Sequence, residues 1–371
     1  MMRHITADEI FDGERLYQGH ALQVTHGVLT GIVPLAEAPG AERLDGTLMP
    51  GFVDLQVNGG GGVMFNEETS VDGLRQMALA HASTGTVALL PTLITDTPEH
   101  VAAAIEAVAE AIAGQVPGVI GLHLEGPHLS LARKGAHDPA LIREMTDADE
   151  AQLIDAAGRL PNLKVTIAPE NVSLDRVQRL LAAGVILSLG HTDCDYETAM
   201  RYFAAGVRCA THLFNAMSGL GNRAPGMVGA VLDAPQVSAG LIADGIHVHP
   251  AAMRLALAAP KQGALFLVTD AMSTVGSEIT EFMLNGRRVL RRDGRLTLED
   301  GTLAGADLDM PQALRVMQDA GVARARALAM ATRYPARMLR QDFGLGRWTI
   351  GQPLSAIRLD ASGRFAGALE V

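Results

Sequence analysis

Cysteine is nearly absent from this 371-residue chain, with Cys194 and Cys209 as its only two. They give neither a disulfide framework nor a CxxC metal knuckle, so reduced thiols are expected. Aromatic residues make up 4% of the sequence and include a single Trp, too few for a base-stacking surface. Positive charge is also in deficit, with 30 Lys and Arg against 41 Asp and Glu and a net charge of −11. That balance argues against broad capture of nucleic acid or acidic membrane, so any anion site must be local. No apolar run is long enough to span a bilayer, and the opening MMRHITADEIFDG lacks the charged-then-apolar plan of a secretory signal. A cytoplasmic location is the resulting expectation.

What the chain does have is alternation. Short apolar runs rich in Val, Ile and Leu recur at Val53–Val57, Val87–Leu90, Val119–Glu125, Lys164–Ala168, Val185–His191, Cys209–Phe214, Val237–Asp244 and Leu265–Asp270. Each reads as a buried strand. Between most of them lie Ala-rich periodic stretches, Val71–Ser83, Pro98–Ala113, Ser173–Ala183, Glu197–Ala205 and Pro250–Ala259, which read as helices. The Gly-rich connection between the sixth and seventh runs is the least regular. Eight alternations of strand and helix predict an α/β fold, a (β/α)8 TIM-like barrel whose chemistry gathers at the C-terminal ends of its strands. A doubly wound open sheet shares the alternation, but no GxGxxG follows the first run. The Gly59–Gly62 run lacks the Lys-Ser/Thr ending of a P-loop.

The two ends of the chain differ from its middle. ALQVTHGVLTGIV, SAIRLD and FAGALEV are strand-like pieces between Gly-, Pro- and Asp-rich turns. Neither end can bury a core alone, so residues 1–48 and 346–371 are expected to form one small β-sandwich domain beside a catalytic barrel at 49–345. Asn285-Gly286, Asp293-Gly294 and Asp300-Gly301 punctuate alternating segments and predict an inserted hairpin pair.

Seven of the twelve histidines fall between residues 123 and 249. Glu125 ends VIGLHLE, His191 ends VILSLGH, His212 lies within CATHLF and Asp270 ends LFLVTD. On an open sheet these groups spread along a line, whereas a closed barrel brings them to one mouth. Two imidazoles and a carboxylate form a three-ligand set for a divalent ion with a position left for water. Asp270 is then placed to take the water proton and return it to a leaving amine. A strand-end His or Asp is often only a capping group, but four at four strand ends argue for a metal hydrolase. His123 shares strand parity with Glu125 and is expected one layer deeper, in a core hydrogen bond. Cys194, three residues after His191, is read as a structural thiol.

The stretches PGFVDLQVNGGGGVMFN, GLHLEGPHLS, KGAHDP, APE, SLGHTD, ATHLFNAM, IADGIHVH, LVTDAM and DGTLAG occur in this order between residues 49 and 310. In combination they resemble the N-acetylglucosamine-6-phosphate deacetylases of the amidohydrolase superfamily. The resemblance implies hydrolysis of N-acetyl-D-glucosamine 6-phosphate to D-glucosamine 6-phosphate and acetate, with one divalent metal, foremost Zn²⁺ with Fe²⁺, Co²⁺ or similar as substitutes. It implies Glu125, His191 and His212 as ligands, Asp270 as proton carrier and His137 of KGAHDP, beside Ala136, at the acetyl carbonyl. Arg223 and His247 look like phosphate contacts, with Asn215 and Ala216 nearby. Leu303, Ala304 and Gly305 resemble the loop closing over the sugar. Many amidohydrolases carry His-x-His on the first strand for a second metal, and this chain has Gln56-Val57-Asn58 instead. Amide side chains are poor ligands for a borderline metal, which points to one metal. The resemblance also implies a homodimer and a small-molecule partner only, a phosphorylated N-acetyl amino sugar. The same barrel and metal fit another N-acyl amino sugar phosphate or a cyclic amide. A sugar-phosphate-binding regulator without catalysis is the reading from a different class.

Overall fold

A computed structural model of the chain describes residues 2–259 and 263–370. Eight strands form one parallel sheet in sequential order. They are β1 (Phe52–Val57), β2 (Thr86–Ile94), β3 (Leu122–Glu125), β4 (Leu163–Ile167), β5 (Ile186–Leu189), β6 (Cys209–Ala210), β7 (Ser238–Ile242) and β8 (Leu265–Val268). Just past β8 the chain bends back onto β1. Val57 pairs in parallel with Ala271, the Asp270 amide donates to the Gln56 carbonyl at 3.0 Å and the Asn58 amide donates to the Ala271 carbonyl at 2.8 Å. These bonds join the two edges that an open sheet would expose, so the barrel reading holds over the doubly wound one.

Helices cover the barrel because small residues let them approach it. Pro98–Ala113 starts on a Thr97 cap with Pro at its first position and buries Ala104, Ala107 and Ala111 against the strands. The Gly-rich connection after β6 does carry a helix, Gly226–Asp233, nearly all of it buried. Sequence periodicity missed Asp147–Arg159, whose first turn is acidic. Its start was nevertheless written in a Thr146–Asp149 capping box.

Both chain ends meet in one sheet, where Ile357–Leu359 runs antiparallel to Thr47–Met49 and Thr47–Met49 runs parallel to Glu9–Phe11. A second sheet orders Val28–Pro34, His20–Thr25, Met2–Thr6 and Glu42–Arg43. The two share a small core of Ile5, Ile10, Leu22, Leu29, Leu48 and Leu354, separate from the barrel core. Phe365–Ala368 supplies the FAGALEV strand, and the final Val371 lies outside the described residues. The inserted hairpins form an antiparallel sheet of Glu281–Leu284, Arg287–Arg292 and Arg295–Leu298, with turns at Asn285-Gly286 and Asp293-Gly294. Among the described residues no helix is long and apolar enough to cross a membrane, and both cysteines are free and buried.

One buried histidine is expected to make the fold sensitive to acid. His128 is 2% exposed, and its Nδ1 faces the Arg143 carbonyl at 3.1 Å. Burial pushes its pKa down from 6.5 to about 4 against that hydrogen bond. The unfolded chain therefore binds the proton first. Stability from this group is complete above pH 6.5 and is lost as pH falls to about 4, a change on the order of 3 kcal/mol. Thermal midpoints measured from pH 7 to 4 should fall less steeply for His128→Gln than for the parent, and parallel curves would refute this.

Candidate active site

Glu125 is the last residue of β3, while His191, His212 and Asp270 each stand two residues past the ends of β5, β6 and β8. The sequence reading carried those runs to the site residues themselves, and the observed strands are shorter. The reason is local: φ is +48° at His191, +30° at His212 and +51° at Asp270, values that no strand accommodates. A left-handed backbone costs a non-glycine residue roughly 1–2 kcal/mol. Such strain persists only where the surroundings enforce it. All four residues line one cavity of about 250 Å³ at the barrel mouth.

At its base the side chains of Glu125, His191 and His212 converge, with donor atoms all within 4.8 Å of one another. His191 Nε2 lies 3.0 Å from His212 Nε2 and 3.4 Å from Glu125 Oε1, and His212 Nε2 lies 2.9 Å from that same oxygen. The Arg133 carbonyl, 2.8 Å from His191 Nδ1, takes the hydrogen of that nitrogen and leaves Nε2 as a lone pair. A bare imidazole nitrogen, a second imidazole and a carboxylate aimed at one point are the donors a divalent cation needs. Burial alone would raise the Glu125 carboxyl, but the His191 and His212 imidazoles beside it outweigh that and hold it well below the usual range. Burial is the largest influence on His212 and lowers it, but the bond to Glu125 and the charges of Glu125 and Asp270 together outweigh burial, for a net upward shift.

His137 and Asp270 flank this cluster. The Thr95 amide N–H points at His137 Nδ1 at 3.3 Å, and the Thr95 hydroxyl lies 2.8 Å from the same nitrogen. A backbone N–H can only donate, so Nδ1 is bare and Nε2 carries the hydrogen. That Nε2 stands 4.0 Å from Glu125 Oε2. Burial, then the neighbouring His191, hold the His137 pKa well below its ordinary value, so the ring is a neutral donor. Asp270 is pushed upward by burial and next by the Glu125 charge, a perturbation of the kind found at candidate acid–base groups.

Ala136, His137, Asn215, Ala216, His247, Leu303, Ala304 and Gly305 line the same cavity. His247 donates from Nδ1 to Asp244, at 2.6 Å, which fixes the ring. Gly305 has φ +63°, and a Cβ there would stand 2.4 Å from the Met272 sulfur, so the closing loop requires glycine. Arg223 is the exception, exposed on its loop and outside the cavity of its own chain. Ile94, Met272 and Leu284 also line the cavity, and the sequence reading had not singled them out. With Ala304 they belong to the core under the inserted hairpins. The Asn285-Gly286 turn directly after Leu284 was their one signal. His123 lies below the cluster as expected, 3.1 Å from Thr92 Oγ1 and 2.8 Å from Thr166 Oγ1. Burial pushes the Cys194 thiol up to about 11, which suits a structural thiol.

The model of the amidohydrolase family matches residues 47–361. N-acetylgalactosamine-6-phosphate deacetylase of Shewanella sp. (strain ANA-3) is 43% identical over 347 residues, covering 90% of this chain and 87% of the relative. N-acetylglucosamine-6-phosphate deacetylase of Haemophilus influenzae is 35% identical over 334 residues, covering 88% and 87%. The crystal structure of N-acetylglucosamine-6-phosphate deacetylase from Pasteurella multocida is similar with a TM-score of 0.92 at 34% identity, covering 100% of this chain and 98% of that one.

Proposed function

The chain belongs to the amidohydrolase family, and from that premise we propose that it hydrolyses N-acetyl-D-glucosamine 6-phosphate to D-glucosamine 6-phosphate and acetate. The observation that carries this reading is the meeting of Glu125, His191, His212, Asp270 and neutral His137 in one buried cavity. Relatives that match most of the chain are deacetylases of N-acetylated hexosamine 6-phosphates.

Glu125, His191 and His212 are assigned to one divalent cation per subunit, zinc in the first place, since nitrogen and oxygen donors of this kind also suit Fe²⁺ and Co²⁺. A cation held there would supply the acidification of a water and the polarisation of the acetyl carbonyl. Asp270 takes the proton of the attacking water and delivers it to the nitrogen as the C–N bond breaks. His137 directs its Nε2–H at the carbonyl oxygen, where negative charge develops. The water oxygen ends in acetate, and the amine leaves protonated.

His247, Asn215 and Ala216 are assigned to the phosphate side, and Ala136, Leu303, Ala304 and Gly305 to closure over the sugar. No Lys or Arg lines the cavity among the described residues. The resemblance assigns Arg223 to the phosphate, and since it lies outside the cavity of its own chain, we read it as serving the neighbouring subunit of a homodimer. Two free, buried thiols accord with a cytoplasmic setting. The chain is divided at 48/49 and 345/346, the barrel between the two parts of the β-domain.

The relative from Shewanella favours a second reading, the galacto epimer of the same substrate. Acetate release by the metal-loaded protein on both epimers, with and without the 6-phosphate, separates the readings. A wild type indifferent to the phosphate would sink the phosphate assignment, and faster turnover of the galacto epimer would select the second reading. Arg223→Ala should raise KM for the phosphorylated sugar roughly 10- to 100-fold, the loss of a charged hydrogen bond. The unphosphorylated sugar should be unaffected.

A further inference from the structure

Glu125 and Asp270 are both buried carboxylates at one cavity. Two like charges held this close out of water repel, and something must hold them in their separate roles. Gln56 stands between them. Its Nε2 donates to Glu125 Oε1 at 3.0 Å and to Asp270 Oδ1 at 3.1 Å, and Asn58 Nδ2 donates to the same Oδ1 at 2.7 Å. Asp270 Oδ1 thus receives two N–H groups, whereas Oδ2 has no hydrogen-bonding side chain among the described residues. The carbonyl oxygens Gln56 Oε1 and Asn58 Oδ1 are buried and without a partner among the described residues. Turning either amide over would satisfy nothing and would set a carbonyl oxygen against a carboxylate. The donors are therefore committed to the acids.

The backbone adds to this arrangement. Gln56 and Asn58 lie on and just past β1, at the seam that closes the barrel. The Gln56 carbonyl accepts from the Asp270 amide, and the Asn58 amide donates to the Ala271 carbonyl. One short segment therefore fixes Asp270 through its main chain, in its left-handed conformation, and through one carboxylate oxygen.

We propose that Gln56 and Asn58 are positioning residues for the proton transfer. They pin Asp270 through Oδ1 and leave Oδ2 as the oxygen that moves the proton between water and amine, while Gln56 separates Asp270 from Glu125. This rests on the deacetylase reading above. It gives the amide pair a task of its own, beyond the lack of a second metal that its chemistry implies.

Asn58→Leu and Gln56→Met keep side-chain size and remove the N–H donors without adding charge, and Asn58→Ala removes the donor outright. The measurements are kcat, KM, metal per chain, affinity for glucosamine 6-phosphate by calorimetry, and thermal midpoint. In each variant kcat should fall about 10- to 100-fold, the usual scale for residues supporting a metal site. KM, product affinity and metal content should stay at wild-type values. An isosteric variant with wild-type kcat would overturn the proposal, since shape would then suffice. So would a kcat loss that tracks lost metal, lost product affinity or a lowered thermal midpoint, since the role would then be structural. A wild type that releases no acetate overturns both readings, whereas an active wild type matched by Asn58→Leu overturns this one alone.

Discussion

Asp270→Asn should lower kcat about 10³- to 10⁴-fold, the upper range for a positioned proton carrier, with KM close to that of wild type. The amide keeps the size of the carboxylate and cannot take a proton from water. Stability supplies the internal control. In the wild type Asp270 is buried, and burial followed by the Glu125 charge makes its ionised form unfavourable. Neutral asparagine removes that repulsion, so the thermal midpoint should hold or rise while turnover collapses, as at sites that trade stability for activity. Acetate release and thermal unfolding on the same preparation check both halves. Near-normal turnover would remove Asp270 from the mechanism, and a collapse accompanied by unfolding would leave it a structural role.

The legible part of this protein was what periodicity and residue type encode together. Eight apolar runs and the acids and imidazoles at their ends predicted the barrel and its mouth, and the family motifs predicted what occupies it. Less legible was the backbone at the site. His191, His212 and Asp270 have left-handed φ values, which are held by tertiary contacts and leave no mark in a propensity pattern. The roof was missed for a related reason. Leu284 and Met272 look like ordinary core residues, and only the folding of the inserted hairpins over the mouth makes them walls of the cavity. The amides of Gln56 and Asn58 were noticed for what they replace. Their bonds to Glu125 and Asp270 join residues more than sixty positions apart, which one sequence does not record. Arg223 is the converse case, since its motif is legible but the fold of a single chain leaves it outside the cavity.

Removal of the divalent metal should abolish acetate release, and one equivalent per chain should restore it. The expectation of a single ion rests on the one candidate ligand group among the described residues. Glu125, His191 and His212 supply two nitrogens and an oxygen at one point, and the Arg133 carbonyl has already set the His191 tautomer for ligation. Stoichiometry well above one, with Gln56 or Asn58 required for the extra ion, would overturn the one-metal reading. His212 Nε2 lies 2.9 Å from Glu125 Oε1, and a proton held between them raises the His212 pKa against the effect of burial. Binding must displace this proton, so metal affinity should weaken as the medium is made more acidic. The ion also binds the folded chain in preference to the unfolded one. Free metal at 100 times its Kd should therefore stabilise the fold by about 2.7 kcal/mol, seen as a rise in thermal midpoint that grows with metal concentration. His212→Ala should lose turnover and this metal-dependent rise together. If the rise survived in His212→Ala, the ion would be binding elsewhere, and the assignment of the three ligands would fall with it.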